Sequence, residues 1–168
     1  MESLAVRPYI PIVACERADG VRPMTLLASK EKLEDAVTEG KEWLIRNPES
    51  ASRAVLLYDG FIPHASGKTN ALIVEAVRYT PERERFALVF NDDGSTLITY
   101  TPEPEGFVVA VPYRHANSRE GFAVYQPKFF NYEGPEVSFE TLEKAFFRGV
   151  NQHEKGAAVW NASLDQSE

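Results

Sequence analysis

The chemically capable residues gather between Asp59 and Glu75. Gly67-Lys68-Thr69 matches the end of the phosphate-binding pattern G-x-x-x-x-G-K-[ST]. In that pattern glycines let backbone amides surround phosphates, the lysine neutralises charge and the hydroxyl holds magnesium. The pattern also asks for glycine at position 62, which is Ile62 here, and for a helix afterwards. The apolar Phe86-Ala87-Leu88-Val89-Phe90 followed by Asp92 echoes the strand and acid that accompany such a loop, but Asn91-Asp92-Asp93-Gly94 is also turn chemistry.

Asp59 and Glu75 form a second constellation. An Asp on one strand and Glu-x-Lys on the next can hold magnesium while the lysine assists an attacking water. Val77 stands where that lysine belongs, so Lys68 would have to reach in from the loop. The histidines His64, His115 and His153 lack the short spacing of a local metal site, and no metal or other cofactor is expected. Ser66, His115 and Asp59 could be assembled into a nucleophilic triad, but Ser66 lacks the G-x-S-x-G elbow. The ligand-binding candidates are therefore Asp59, His64, Lys68 and Glu75. An enzyme built on them needs all four to converge on one cleft. A further candidate is aromatic: Phe129, Phe130 and Tyr132 would form a protein-binding surface if exposed together.

The elements that position these groups follow from periodicity. Leu33, Val37, Gly40 and Leu44 make one apolar stripe, which predicts a helix over 30–46 capped by Ser29 and stopped by Pro48. Tyr9 to Cys15 reads as a strand, placed by Pro8 and Pro11 at an edge or at a strand start. The continuous apolar run Ala54 to Phe61 reads as a strand buried on both faces, followed by a polar bend from Asp59 to Asn70. Residues 70–79 fit a strand or a helix, and their β-branched content favours the strand. Phe86–Phe90, Leu97–Tyr100, Phe107–Val111 and Gly121–Tyr125 continue as a meander. Leu142, Phe146 and Val150 predict a second helix over 139–150, ended by Gly149 or Gly156. Ala157-Ala158-Val159-Trp160 would dock a short final segment.

The expected architecture is α+β: an antiparallel sheet of about six strands with two main helices in a single layer on one sheet face. The length suits one domain over 1–168, with loose termini at about 1–7 and 162–168. The net charge of -7, with no basic cluster, argues against nucleic acid. No apolar run approaches a membrane span, and the first residues lack the pattern of a secretion signal. A single cysteine, Cys15, among apolar neighbours suits an inert thiol in a reducing, cytoplasmic setting. The expected function is a non-catalytic binding or accessory module acting on another protein. The alternative is a small hydrolase or anion- or nucleotide-binding enzyme using the Asp59–Glu75 loop. A homodimer through an edge strand at Tyr9–Cys15 is a further expectation.

Overall fold

The computed structural model describes residues 10–28, 31–64, 67–79, 85–92, 94–100, 105–115, 122–131 and 139–164. Strands β1 (Ile12–Arg17) and β2 (Met24–Leu26) form a hairpin. Its turn is closed by Gly20 N donating to Arg17 O, with the Asp19 carboxylate accepting from Val21 N. Helix α1 (Leu33–Arg46) follows, then β3 (Ala51–His64), β4 (Gly67–Arg78), β5 (Arg85–Asn91), β6 (Gly94–Tyr100), β7 (Glu105–His115), β8 (Phe122–Val124) and β9 (Lys128–Asn131). Helices α2 (Phe139–Gln152) and α3 (Glu154–Ser163) complete the order.

The main sheet runs β2-β1-β3-β4-β7-β8, with β9 also on β7, and every pairing is antiparallel. Val124 stands opposite Tyr113 and Lys128 opposite Ala110 on the same edge of β7, and Tyr125 N donates to Pro112 O between them. Strands β8 and β9 therefore act as one strand interrupted by a bulge, which brings the sheet to the expected six. Strands β5 and β6 pair as a separate hairpin turning at Asn91 and Gly94.

The largest departure from the expected elements lies between Asp59 and Asn70. The polar bend is strand: Asp59 pairs with Leu72, Phe61 with Asn70, and His64 with Gly67. The pairing of β3 with β4 runs out to His64 opposite Gly67, and Gly67 takes a φ of 120° that a side chain would resist. Gly60 and Pro63 read as loop punctuation, yet β1 ends opposite Leu57, so Pro63 lies on a stretch of β3 that β1 does not pair. A missing donor is tolerated there. Nor is β3 buried on both faces. Ala54, Leu56 and Ile62 are buried, Val55 and Leu57 are half-buried, and Phe61 is 70% exposed. Residues 70–79 take the favoured strand form. Strand β1 begins just after Pro11 but is interior, because β2 covers its outer side.

Helix α1 buries Ala36, Gly40 and Leu44 against the first core cluster, which includes Val13, Leu27, Ala54 and Leu56. Gly40 lets the helix approach closely: a Cβ there would lie 2.5 Å from Leu56 Cδ1. Its N-cap is Lys32, which makes no side-chain capping bond, while Ser29 lies outside the described residues. Each helical unit covers one face of the strands beneath it, and register refines the expected single layer. Helix α1 covers the Leu56 row, which continues through Glu75 to Val108. Helices α2 and α3 cover the alternate positions of β7, where Val109, Val111 and Tyr113 pack with Phe129, Phe146 and Trp160.

The helices after β9 also correct three expectations. Gly149 lies within α2, and Gly156 within α3, a full helix rather than a short segment. The break falls at His153, whose Nδ1 accepts from Gly156 N at 2.9 Å and so caps α3. Ala162 and Ser163, expected to be loose, belong to α3, and Leu164 bridges to Val124.

Candidate functional site

Pleating separates the four ligand-binding candidates. Asp59 and Leu72 are paired, so Glu75, three residues from Leu72, lies on the other face of the sheet. Lys68 pairs with Pro63, which puts it on the Asp59 face but about 13 Å further along the ribbon. His64 ends β3 opposite Gly67, eight residues beyond Leu56, the partner of Glu75; that is about 26 Å along the strand. The hairpin therefore spreads these residues out instead of gathering them.

Each of the two acids is instead held by a tyrosine. Tyr58 Oη donates to Glu75 Oε1 at 2.6 Å, and Lys41 Nζ from α1 lies 3.1 Å from the same oxygen. The ammonium also sits 5.8 Å from the Tyr58 ring centroid. Glu75 is the buried charge beneath α1, and these two donors compensate its removal from water. On the other face Tyr113 Oη donates to Asp59 Oδ1 at 2.6 Å. Such short bonds are typical of a hydroxyl meeting a carboxylate. Tyr58, Tyr113 and Lys41 were invisible as partners in the sequence, because only register and the docking of α1 bring them to the acids.

Phe129 is half-buried and meets Phe146 edge-on at 6.1 Å, within the core under α2. It is committed to packing. The Phe130 side chain and Tyr132 lie outside the described residues, as do the side chains of His64 and His115. Among the described residues no group of His, Cys, Asp and Glu side chains clusters as a metal ion requires. No helix of the described residues is long and apolar enough to cross a membrane.

The site that the fold does build carries no motif along the chain. Ala14, Val55, Ala76 and Phe107 are successive partners across β1, β3, β4 and β7, so they form one row on one face. The row floors a groove of about 560 Å³, walled on the α2 side by Leu142. The small side chains of Ala14, Val55 and Ala76 leave room that Leu or Phe would fill. The next row on this face, two positions along, is charged: Glu16, Arg53, Arg78 and Glu105 are successive partners. Of these, Glu16, Arg53 and Arg78 line the groove, joined by Arg22 from the β1–β2 turn.

At this rim Arg53 Nη2 donates to both Glu16 oxygens at 2.8 and 2.9 Å, and Arg22 Nε donates at 2.7 Å. The bond from Arg53, then that from Arg22, holds the Glu16 carboxyl below the usual carboxylate range. Along the chain Ala14 with Glu16, Val55 with Arg53 and Ala76 with Arg78 are ordinary pairs, and they become a pattern only across strands.

The chain matches no known family model, no curated protein and no solved structure.

Proposed function

We propose that this protein is a non-catalytic binding module whose recognition site is the groove beside α2. One observation carries the reading: a half-open row of small apolar side chains, Ala14, Val55 and Ala76, lies beside Leu142 and is bordered by charge. A concave, mostly apolar site of a few hundred cubic ångströms with a few polar groups at its rim is the usual form of a ligand pocket. Phe129, one of the aromatics expected at a protein-binding surface, packs edge-on against Phe146. The enzyme alternative loses its geometric support, because Asp59, His64, Lys68 and Glu75 do not share a cleft.

The uncharged dye Nile red tests the reading. Its emission is expected to rise and shift to the blue with the wild-type chain, and to stay at the level of buffer with Ala76→Trp, which plugs the floor. Ala14→Phe plugs the same row from β1 and should act alike. Both changes add bulk to half-open positions, so an unchanged thermal midpoint is expected. No response from the folded wild-type chain, or a response untouched by either plug, would remove the groove as the site.

A further inference from the structure

We infer that the chain pairs with a second copy of itself along β2, in an antiparallel strand pairing whose two-fold axis passes Thr25. The inference does not depend on the groove. Strand β1 was expected to offer such an edge, but β2 covers it, so β2 is the outermost strand on this side of the sheet. Among the described residues no strand pairs with the outer side of β2. All three of its residues are exposed, Met24 at 67% and Leu26 at 55%.

The register decides which backbone groups this edge offers. Leu27 N donates to Pro11 O, Cys15 N to Pro23 O and Arg17 N to Val21 O. The hairpin residues that turn their backbone groups inward are thus the odd-numbered ones, including Thr25 opposite Val13. Met24 and Leu26 turn their N–H and C=O outward. Proteins commonly guard such an edge with charge, with a proline that removes an outward donor, or with a bulge. Residues 23–27 carry no charge. The missing N–H of Pro23 falls on the β1 side, and the pairing with β1 runs without a shift. At the far edge, by contrast, Lys128 stands on β9 and Leu164 bridges Val124 of β8.

A second copy fits this edge because the edge complements itself. With Thr25 on the axis, Met24 falls opposite Leu26 of the other copy, and Leu26 opposite its Met24. Residues paired in this way exchange both of their N–H···O bonds, so the outward groups of Met24 and Leu26 satisfy one another. The side chains also match. Met24 and Leu26 share one face, so those of both copies form one apolar cluster, and Thr25 meets Thr25 in a favourable cross-strand pair. Met24 stands opposite Ala14, and Leu26 opposite Ile12. The apolar rows of one sheet therefore run on into the other. A two-fold contact of this kind closes on itself and ends at the dimer. An edge of three residues makes a small contact, so the association is weak and reversible.

The experiment is sedimentation velocity on the full chain across a concentration series, with backbone amide exchange measured at its two ends. The wild type is expected to pass from monomer to dimer as concentration rises. Exchange at the Met24 and Leu26 amides should slow with it, while the Thr25 amide, which faces β1, keeps its rate. Met24→Lys/Leu26→Lys sets like charges opposite each other and should raise the dissociation constant by about tenfold or more. Met24→Lys/Leu26→Glu sets opposite charges at the same places and should stay within about threefold of the wild type. Phe61→Lys and Val159→Lys each remove an exposed apolar side chain elsewhere and should leave the association unchanged. All four positions are exposed, so every variant is expected to keep the wild-type thermal midpoint at low concentration. A wild-type chain that stays monomeric throughout would overturn the inference. So would a dimer indifferent to the paired lysines, or one broken by Phe61→Lys or Val159→Lys. A Lys/Glu variant as weak as the Lys/Lys one would overturn the register about Thr25, and growth beyond a dimer would overturn the closed two-fold pairing.

Discussion

At the scale of single residues, Glu75 shows how a charge is kept inside this sheet. The residue is 6% exposed, and its carboxylate takes Tyr58 Oη and Lys41 Nζ on the same oxygen. Lys41 is about half exposed, so water screens part of its attraction. Lys41→Ala should therefore cost about 1–2 kcal/mol, short of the 3–5 expected when a wholly buried pair is broken. Lys41→Met combined with Glu75→Leu should cost less than Lys41→Ala alone, because no buried charge is left behind. Urea unfolding of the two variants decides this, and a double variant that is the less stable of the two would show that Glu75 is not the liability. From sequence, Glu75 stood out as an acid inside an apolar run. Its partners did not, since Tyr58 comes from the neighbouring strand and Lys41 from a helix. The same holds for Asp59 and Tyr113.

At the scale of elements, what was legible depended on how far each signal reached along the chain. Helix α1 was legible because its stripe and its stop are both local. Asn47 takes a left-handed conformation, φ 44° and ψ 58°, and its N donates to Trp43 O. Its side chain then bonds Ala51 twice, Nδ2 to O at 3.0 Å and Oδ1 from N at 2.7 Å, and so ties the helix end to the start of β3. Asn47→Ala loses both bonds and strains the backbone, for about 2–3 kcal/mol. Asn47→Gly loses the bonds without the strain and should be about 1 kcal/mol milder. Equal midpoints for the two variants in chemical unfolding would discard the strain argument. The β3–β4 ribbon was less legible, because Gly60, Pro63 and Gly67-Lys68-Thr69 all carry loop chemistry. Only the lack of a β1 partner beyond Leu57 explains why Pro63 is tolerated inside a strand. The groove was not legible at all, since its row takes one residue from each of four strands.

At the scale of the whole molecule, Tyr79 ties α1, β3 and β4 together, and its ionisation is expected to weaken the fold in alkali. Its Oη donates to Leu44 O at 2.5 Å, satisfying a carbonyl in the last turn of α1, and its N donates to Ser52 O at 3.0 Å. Burial, with a smaller contribution from nearby Cys15, pushes the phenol from 10.0 up to about 12. Burial, then Glu49, likewise raises the Cys15 thiol above its ordinary 9.0. Both groups hold their protons more tightly when folded, so their stabilisation is complete below the unfolded values. It is lost as pH rises past about 9 for Cys15 and from about 10 to 12 for Tyr79. Glu16 works in the opposite sense: its lowered value contributes above its ordinary 4.5 and is lost only as pH falls below that. Unfolding free energy should thus be level through neutrality and fall in alkali, with roughly 1–2 kcal/mol of the loss belonging to Tyr79 after allowance for its partial exposure. Lysines and the growing negative charge also act in that range, so the decisive comparison is with Tyr79→Phe. That variant should lose about 1 kcal/mol at neutral pH, where the bond to Leu44 O disappears. Between pH 10 and 12 its stability should then fall less steeply than that of the wild type. Parallel curves for the two chains would mean that ionisation of Tyr79 does not open the junction of α1 with the sheet.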